Sequence, residues 1–237
     1  LEGEELSYFV IVDENSYYFF GSAQDHKKVG EGDTGPNTGG MGAYSPAPLL
    51  TKQLEEKIKK KIIEPTIKAM KIFGHPYKGF LYAGLMIHKN EPYLIEYNIR
   101  MGDPECQALM MRLETDLLEI IDHATKNNLN NLQINWSKKN SITIVLCAKG
   151  YPAKYIKDSE IKNLSNILTD ENNQIFHAGT YEKNSKIYSC GGRVLNATSS
   201  SNSLIKARNK SLSNLNKINW VDGFFRKDIG WKAINSK

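Results

Sequence analysis

Residues 93–105, YLIEYNIRMGDPE, hold the densest set of groups able to do chemistry. A β-strand sends alternate side chains to one face, so a strand through this run brings Glu96, Asn98 and Arg100 together. A carboxylate and an amide oxygen at that spacing are the hard donors Mg²⁺ takes, with water and nucleotide phosphates completing its octahedron. Arg100 can then hold an anionic substrate. The plain structural reading of the same residues is a solvated strand face. The Gly102-Asp103-Pro104-Glu105 that follows also reads structurally, as a tight turn, a capping acid and a proline at the first position of a helix.

Two other runs carry anion chemistry. Gln24-Asp25-His26-Lys27-Lys28 ends a strand, and its histidine and lysines can neutralise phosphate, although a wet basic turn has the same composition. The run from Gly32 to Gly42, GDTGPNTGGMG, can aim backbone N–H groups at an anion as a nest, or serve as a flexible linker. Gly30, Gly32 and Gly35 spell GxGxxG, but Pro36 and Asn37 stand where a dinucleotide-binding helix should open, and no βαβ unit surrounds them. No Walker loop, GxSxG or HExxH occurs.

The elements that must position these residues follow from period and punctuation. LSYFVIV, the turn Asp13-Glu14-Asn15-Ser16 and YYFFGSA predict a β-hairpin. The glycines and prolines between residues 30 and 48 predict no regular structure. Thr51 caps a helix with Leu54, Ile58 and Ile62 on one face, continued after Pro65 by Ile67 and Met70. GFLYAGLMIH and PYLIEYNIR are strands joined at Lys89-Asn90-Glu91. One helix is expected from about Glu105 to Lys126, with Leu109, Leu113, Leu117 and Ile121 as its stripe. The Asn/Lys-rich stretch 127–140 reads as a surface connection, with a boundary near residue 137. ITIVLCA then opens a region of short strands, and Leu204, Ala207, Ser211, Leu215 and Ile218 mark a late helix. The expected domains are 1–137 and 138–237, the second small, β-rich and covered by one helix.

A chain of 237 residues, 40% hydrophobic, can bury one large core or two modest ones. Its net charge of +5 is spread among glutamates, which argues against nucleic acid as a partner. No apolar run reaches the roughly 18 residues of a membrane span, and the acidic start is unlike a signal peptide. Cys106, Cys147 and Cys190 lack metal spacing and read as reduced, buried thiols in a cytoplasmic protein. His88, His123 and His177 each stand alone and read as packing or surface residues, as do Tyr181, Trp220 and Trp231.

Taken together, QDHKKVGEGDTGPNTGGMGAYSPAP, GFLYAGLMI, LIEYNIRMGDPE, GGRV and FFRKDIGW resemble the phosphoribosylamine–glycine ligase family in content, order and spacing, over nearly the whole chain. Met101 stands where that family more usually has Phe or Leu, a swap that preserves volume. The resemblance implies an α+β fold: the C-terminal half of an ATP-grasp domain followed by a small mixed α+β domain. It implies ATP and Mg²⁺ or Mn²⁺ as cofactors, with Glu96 and Asn98 as metal ligands. Arg100 and Asp103 would be catalytic, Arg100 lying near the glycine carboxylate. Glu4 would approach the ATP ribose, and Gln24, His26 and Lys27 would lie beside phosphate or substrate. Gly84 occupies the place where many ATP-grasp proteins carry a further metal-binding Glu, as it does in the ligases.

The implied reaction joins glycine to 5-phosphoribosylamine through glycyl phosphate, in de novo purine biosynthesis. In that family an N-terminal domain, an ATP flap and an adenine hinge precede the LEGEE-like strand. The chain therefore reads as a fragment, inactive alone and dependent on upstream ligase domains. The alternative is a non-catalytic remnant kept as a ligand-binding or assembly module. Such a remnant would leave the Gly-rich loop and the metal residues free to drift, and here both are intact.

Overall fold

The computed structural model describes residues 2–235, so Leu1 of the LEGEE run and the last two residues of the expected second domain lie outside it. In chain order the elements are β1 (Glu4–Val12), β2 (Tyr17–Asp25), β3 (Lys28–Gly30), β4 (Thr34–Asn37), β5 (Gly42–Ser45), α1 (Lys52–Ile58), a π-helical stretch Lys59–Ile63, α2 (Glu64–Ile72), β6 (Gly79–His88) and β7 (Glu91–Asn98). There follow α3 (Glu105–Met110), α4 (Leu117–Thr125), β8 (Asn140–Ala148), β9 (Glu160–Ile161), β10 (Asn173–His177), β11 (Thr180–Lys183), β12 (Lys186–Ser189), β13 (Arg193–Ser201), α5 (Leu204–Leu215), β14 (Gly223–Phe224) and α6 (Trp231–Asn235).

The chain forms two compact units, and neither is continuous in sequence. The first takes the residues up to Gln24, Pro46–Gly102 and Leu113–Ser137. The second takes Asp25–Ser45, Asp103–Arg112 and everything from Lys138 onward. The last crossing falls beside the expected boundary near residue 137, but the Gly-rich segment and the GDPE helix pack with the later residues.

In the first unit β1 pairs antiparallel with both β2 and β6, and β6 pairs with β7. One face is apolar: Leu6, Tyr8, Val10, Leu81, Ala83 and Leu85 bury against Leu54, Ile58, Ile62 and Ile63 of the helical layer. Thr51 caps α1 by accepting from the Leu54 N–H, as its sequence position predicts. On the other face Phe9 stacks on Tyr82, and Phe20 meets Phe80 and Trp136 edge-on. Strand register puts Ser7, Gly84 and Glu96 in one row further along that face.

Asp13 holds the hairpin turn. It is 1% exposed. One oxygen accepts from the Asn15 N–H at 2.8 Å, the Ser16 N–H at 2.6 Å and the Ser16 hydroxyl at 3.0 Å, and the other accepts from the Leu129 N–H at 3.0 Å.

The second unit is built on a sheet of order β10-β13-β8-β5, with β14 also pairing β8. Ile142, Ile144, Leu146, Leu195 and Ala197 fill one face together with Ala207 and Leu215 of α5. The opposite face carries a row of hydroxyls. Thr198 donates to Thr143 at 2.8 Å, and Arg112 donates to the Ser45 hydroxyl at 2.9 Å.

Several expectations are corrected. The Gly-rich segment is not irregular: β3 and β4 form a hairpin, and β5 pairs with β8. Positive φ at Gly32 and Asp33 makes the tight turn, and main-chain bonds from Thr38 N–H to Lys27 and from Met41 N–H to His26 fix the return. The single helix expected over 105–126 is two. Between them Leu113 bridges Trp136 and Glu114 N–H bonds Asn135, after which Asp116 caps α4 through the Leu118 N–H. β7 stops at Asn98, two residues short of Arg100. Asp103 does not cap α3, whose N-cap is Pro104 without a side-chain bond. Leu129 and Ile134 are buried within the stretch expected to be a surface connection, and Cys190 is exposed instead of buried.

Replacing Asp13 by Ala strands several main-chain donors and should destabilise the protein by about 2–3 kcal/mol in urea unfolding, with Asp13→Asn intermediate. A loss under about 0.5 kcal/mol would show that the turn holds without it.

Candidate functional site

In the first unit the Glu96–Asn98 pair forms as the strand alternation predicts. Asn98 donates its side-chain N–H to Glu96 Oε1 at 3.1 Å, and Glu96 is exposed. A β-bulge at Ile95 shifts the β6–β7 register between Gly84 and Leu85, so that Glu96 stands opposite Gly84 and Asn98 opposite Tyr82. A Cβ at Gly84 would sit 3.2 Å from Glu96 Cγ, tighter than ordinary contact. Any side chain there would push Glu96 aside, so the glycine keeps the space beside the carboxylate open. A carboxylate and an amide oxygen on an open face fit Mg²⁺ or Mn²⁺ with most positions left to water and phosphate oxygens. Among the described residues no group of three or more His, Cys, Asp or Glu side chains is placed to hold a metal ion.

The other candidates of this unit are dispersed. Arg100 lies past the strand end, exposed, and donates to the Met101 carbonyl at 2.9 Å. Gln24 is buried and donates to the Glu5 carbonyl at 3.3 Å. Glu4 is exposed opposite Ile87 and alternates with Leu6 and Tyr8, so it lies on the opposite side of β1 from Ser7 and the Glu96 row.

The second unit holds His26, Lys27 and Asp103. His26 is 4% exposed, and both ring nitrogens are engaged: Nε2 accepts from the Gly230 N–H at 2.9 Å, so Nδ1 carries the proton and donates to Asp33 at 3.1 Å. Both ring nitrogens of the imidazole thus have partners inside the protein. Lys27 is half-buried, with its ammonium 3.6 Å from Asp25.

Asp33 belongs to an ion cluster that sequence reasoning missed. Arg226, 1% exposed, donates to Asp33 at 2.9 Å, to Asp228 at 2.8 and 2.6 Å and to the Lys28 carbonyl at 2.9 Å. Lys232 adds a contact of 2.8 Å to Asp33, and Asp228 accepts from the Gly32 N–H at 2.8 Å. The His26 hydrogen bond, aided by Lys232 and Arg226 and opposed by burial, holds the Asp33 carboxyl far below the usual range. Burial would raise Asp228, but Arg226 and the Gly32 N–H lower it. The sequence signal was the FFRKDIGW run, where an Arg and an Asp two residues apart could have been paired with the Gly-rich loop.

Asp103 is anchored twice, Oδ2 by Arg193 at 2.9 Å and Oδ1 by Gln107 at 3.0 Å, and half of its side chain remains exposed. GGRV gave Arg193 no role in the sequence reading; only the fold brings it to Asp103.

The sheet-and-helix fold is that of the ATP-grasp class. It is found at a TM-score of 0.63 in the biotin carboxylase domain of a thermophilic 2-oxoglutarate carboxylase, at 16% identity over 93% of this chain and 48% of that one. The phosphoribosylglycinamide synthetase ATP-grasp (A) domain matches residues 1–106, and the C domain of the same synthetase matches 141–232. The chain is 47% identical to the phosphoribosylamine–glycine ligase of Vigna unguiculata over 94% of its length and 73% of that protein. It is 49% identical to the chloroplastic Arabidopsis thaliana ligase over 100% of this chain and 45% of that protein. The Brucella melitensis ligase matches at 47% over 99% of this chain and 55% of that protein. The solved Thermotoga maritima ligase superposes with a TM-score of 0.83 at 30% identity, covering 97% of this chain and 56% of that one. The chain belongs to the phosphoribosylamine–glycine ligase family, and it spans about half the length of the Brucella and Arabidopsis proteins.

Replacing Arg226 by Met leaves Asp228 without its guanidinium partner and strips Asp33 of one of its cationic partners, and should cost about 3 kcal/mol in urea unfolding. Both carboxyls are depressed in the folded state, so their stabilisation is present above the ordinary value of 3.8 and is lost as pH falls through and below it. Stability should therefore drop between pH 5 and pH 3 in the native chain, and the drop should be smaller in Arg226→Met; equal drops would place the acid-sensitive groups elsewhere.

Proposed function

We propose that the chain works as the C-terminal part of an ATP-dependent ligase that joins glycine to 5-phosphoribosylamine, giving glycinamide ribonucleotide, ADP and phosphate. The observation that carries this reading is the Glu96–Asn98 pair on its open strand face, in a chain 47% identical to ligases of that name.

In this reading a glycine carboxylate oxygen bonds to the γ-phosphorus of ATP while the bond to the ADP oxygen breaks, giving glycyl phosphate. The amine nitrogen of phosphoribosylamine then bonds to the acyl carbon, the nitrogen loses a proton, and the acyl–phosphate bond breaks to release phosphate. Glu96 and Asn98 would hold Mg²⁺ or Mn²⁺, whose charge stabilises the transferred phosphoryl oxygens. Arg100 pairs with the glycine carboxylate before transfer, and Asp103 takes the amine proton. Gln24, His26 and Lys27 would lie beside phosphate or substrate, with Lys27 supplying charge. The work of the side chains is mostly positioning and electrostatics, and no covalent enzyme intermediate is needed.

Upstream ligase domains supply the adenine contacts, so the chain alone should turn over poorly. Among the described residues no helix is long and apolar enough to cross a membrane. Reduced thiols support a cytoplasmic setting, although the Arabidopsis relative is named chloroplastic.

With the upstream ligase portion, ATP, Mg²⁺, glycine and fresh phosphoribosylamine, the chain should form amide and ADP in equal amounts. Glu96→Gln and Asn98→Ala should each lower the rate by on the order of 10²–10³-fold. ADP release that ignores glycine, with no amide formed, would remove the ligase reading in favour of a non-catalytic module.

A further inference from the structure

Arg193 opens β13 and is set apart by a bulge: it stands opposite Cys147 while Leu195 stands opposite Leu146, so Val194 is the extra residue. Such a bulge re-aims the side chains beside it. The Arg193 guanidinium joins two segments distant in sequence. Its Nη1 donates to the Gly39 carbonyl at 2.8 Å and to the Asp103 carbonyl at 2.6 Å, and its Nη2 donates to Asp103 Oδ2 at 2.9 Å.

The contact is close because residue 39 is a glycine. A Cβ at Gly39 would lie 3.1 Å from Arg193 Cζ and 3.2 Å from its Nη2, so the guanidinium rests against the bare Cα. Tyr151 fixes the same residue from another direction, its hydroxyl accepting the Gly39 N–H at 2.9 Å. At the next residue, a Cβ on Gly40 would lie 2.4 Å from Pro104 Cδ. The Gly-rich loop is thereby seated on the start of α3, with Arg193 as its clasp.

The carboxylate that Arg193 holds is not buried. Here Arg193 is 22% exposed and Asp103 is 48% exposed, and the second carboxylate oxygen is held by Gln107. One planar fork thus fixes the direction of an acid that still faces solvent.

We propose that Arg193 is a positioning residue for the ligation step, acting through Asp103 and the Gly39 carbonyl. The inference rests on the reading of Asp103 as the proton acceptor. It assigns the arginine of the GGRV run a part in the chemistry although the arginine itself touches no substrate.

The test is a double-mutant cycle in the ligase containing this chain and its upstream portion, using Arg193→Met, Asp103→Asn and the pair, with Arg193→Lys as the conservative variant. Arg193→Met should lower kcat by about 10–10²-fold, as a misplaced catalytic group does, with KM for ATP unchanged. In the Asp103→Asn background the same change should cost under about threefold, because the group it positions is gone. Arg193→Lys, which keeps one charged contact, should recover part of the rate. Independent losses that multiply, or an Asp103→Asn enzyme as fast as the native one, would overturn the inference. Amide hydrogen exchange over residues 38–41 and 103–107 gives a readout independent of turnover. Arg193→Met should speed exchange in both segments, and unchanged exchange would overturn the inference even if the native enzyme makes no amide and the ligase reading itself has failed.

Discussion

A guanidinium with almost no solvent contact must find its counter-charges inside the protein. Arg226 finds them in Asp228, two residues away, and in Asp33, nearly two hundred residues earlier in the chain. Because an unpaired buried charge is so unfavourable, the 28–37 hairpin can take only an arrangement that brings Asp33 to Arg226. The consequences spread from there. Asp33 fixes the proton of His26 on Nδ1, His26 Nε2 receives the Gly230 N–H, and Asp228 receives the Gly32 N–H. A glycine-rich loop is thus ordered by charge and main-chain bonds together with the burial of Met41.

The glycines of that loop then act through what they lack. At Gly39 and Gly40 the absent side chains let Arg193 and Pro104 approach the backbone, so the loop lies directly on the turn that carries Asp103. Gly84 does similar service in the other unit, where its missing side chain leaves room beside Glu96. The glycines thus have a structural use, and a flexible-linker reading of the segment fails for that reason.

In the first unit the division of labour follows the pleat. One face of β1 and β6 is a continuous apolar surface against the helices. The other begins with the aromatic pairs Phe9–Tyr82 and Phe20–Phe80 and turns polar at Ser7, Gly84 and Glu96. The apolar face and the aromatic pairs fix the register by burial, and the polar end inherits it. An exposed carboxylate and amide are thereby held 3.1 Å apart on a rigid scaffold without being buried themselves.

What the sequence by itself determined is local or periodic. Aromatic and β-branched runs bounded by turn residues located β1, β2, β6 and β7, and strand alternation put Glu96 beside Asn98; Thr51 marked the start of α1; helical spacing found α5; and the conjunction of motifs pointed to the family. What only the tertiary structure decided depends on partners far apart in the chain. A helical stripe continues through Leu113, but the chain there leaves the helix to bridge Trp136, because tertiary pairing outweighs local propensity. Arg100 falls outside β7, and His26 is spent on Asp33 and Gly230, since strand ends and hydrogen-bond partners are set by the packed surroundings. Arg193 is silent in sequence for the same reason, and for Arg226 the sequence shows Asp228 nearby but not Asp33. A charge acquires its role from the opposite charges that folding brings to it, and no spacing along the chain records that Asp103 and Asp33 are those charges.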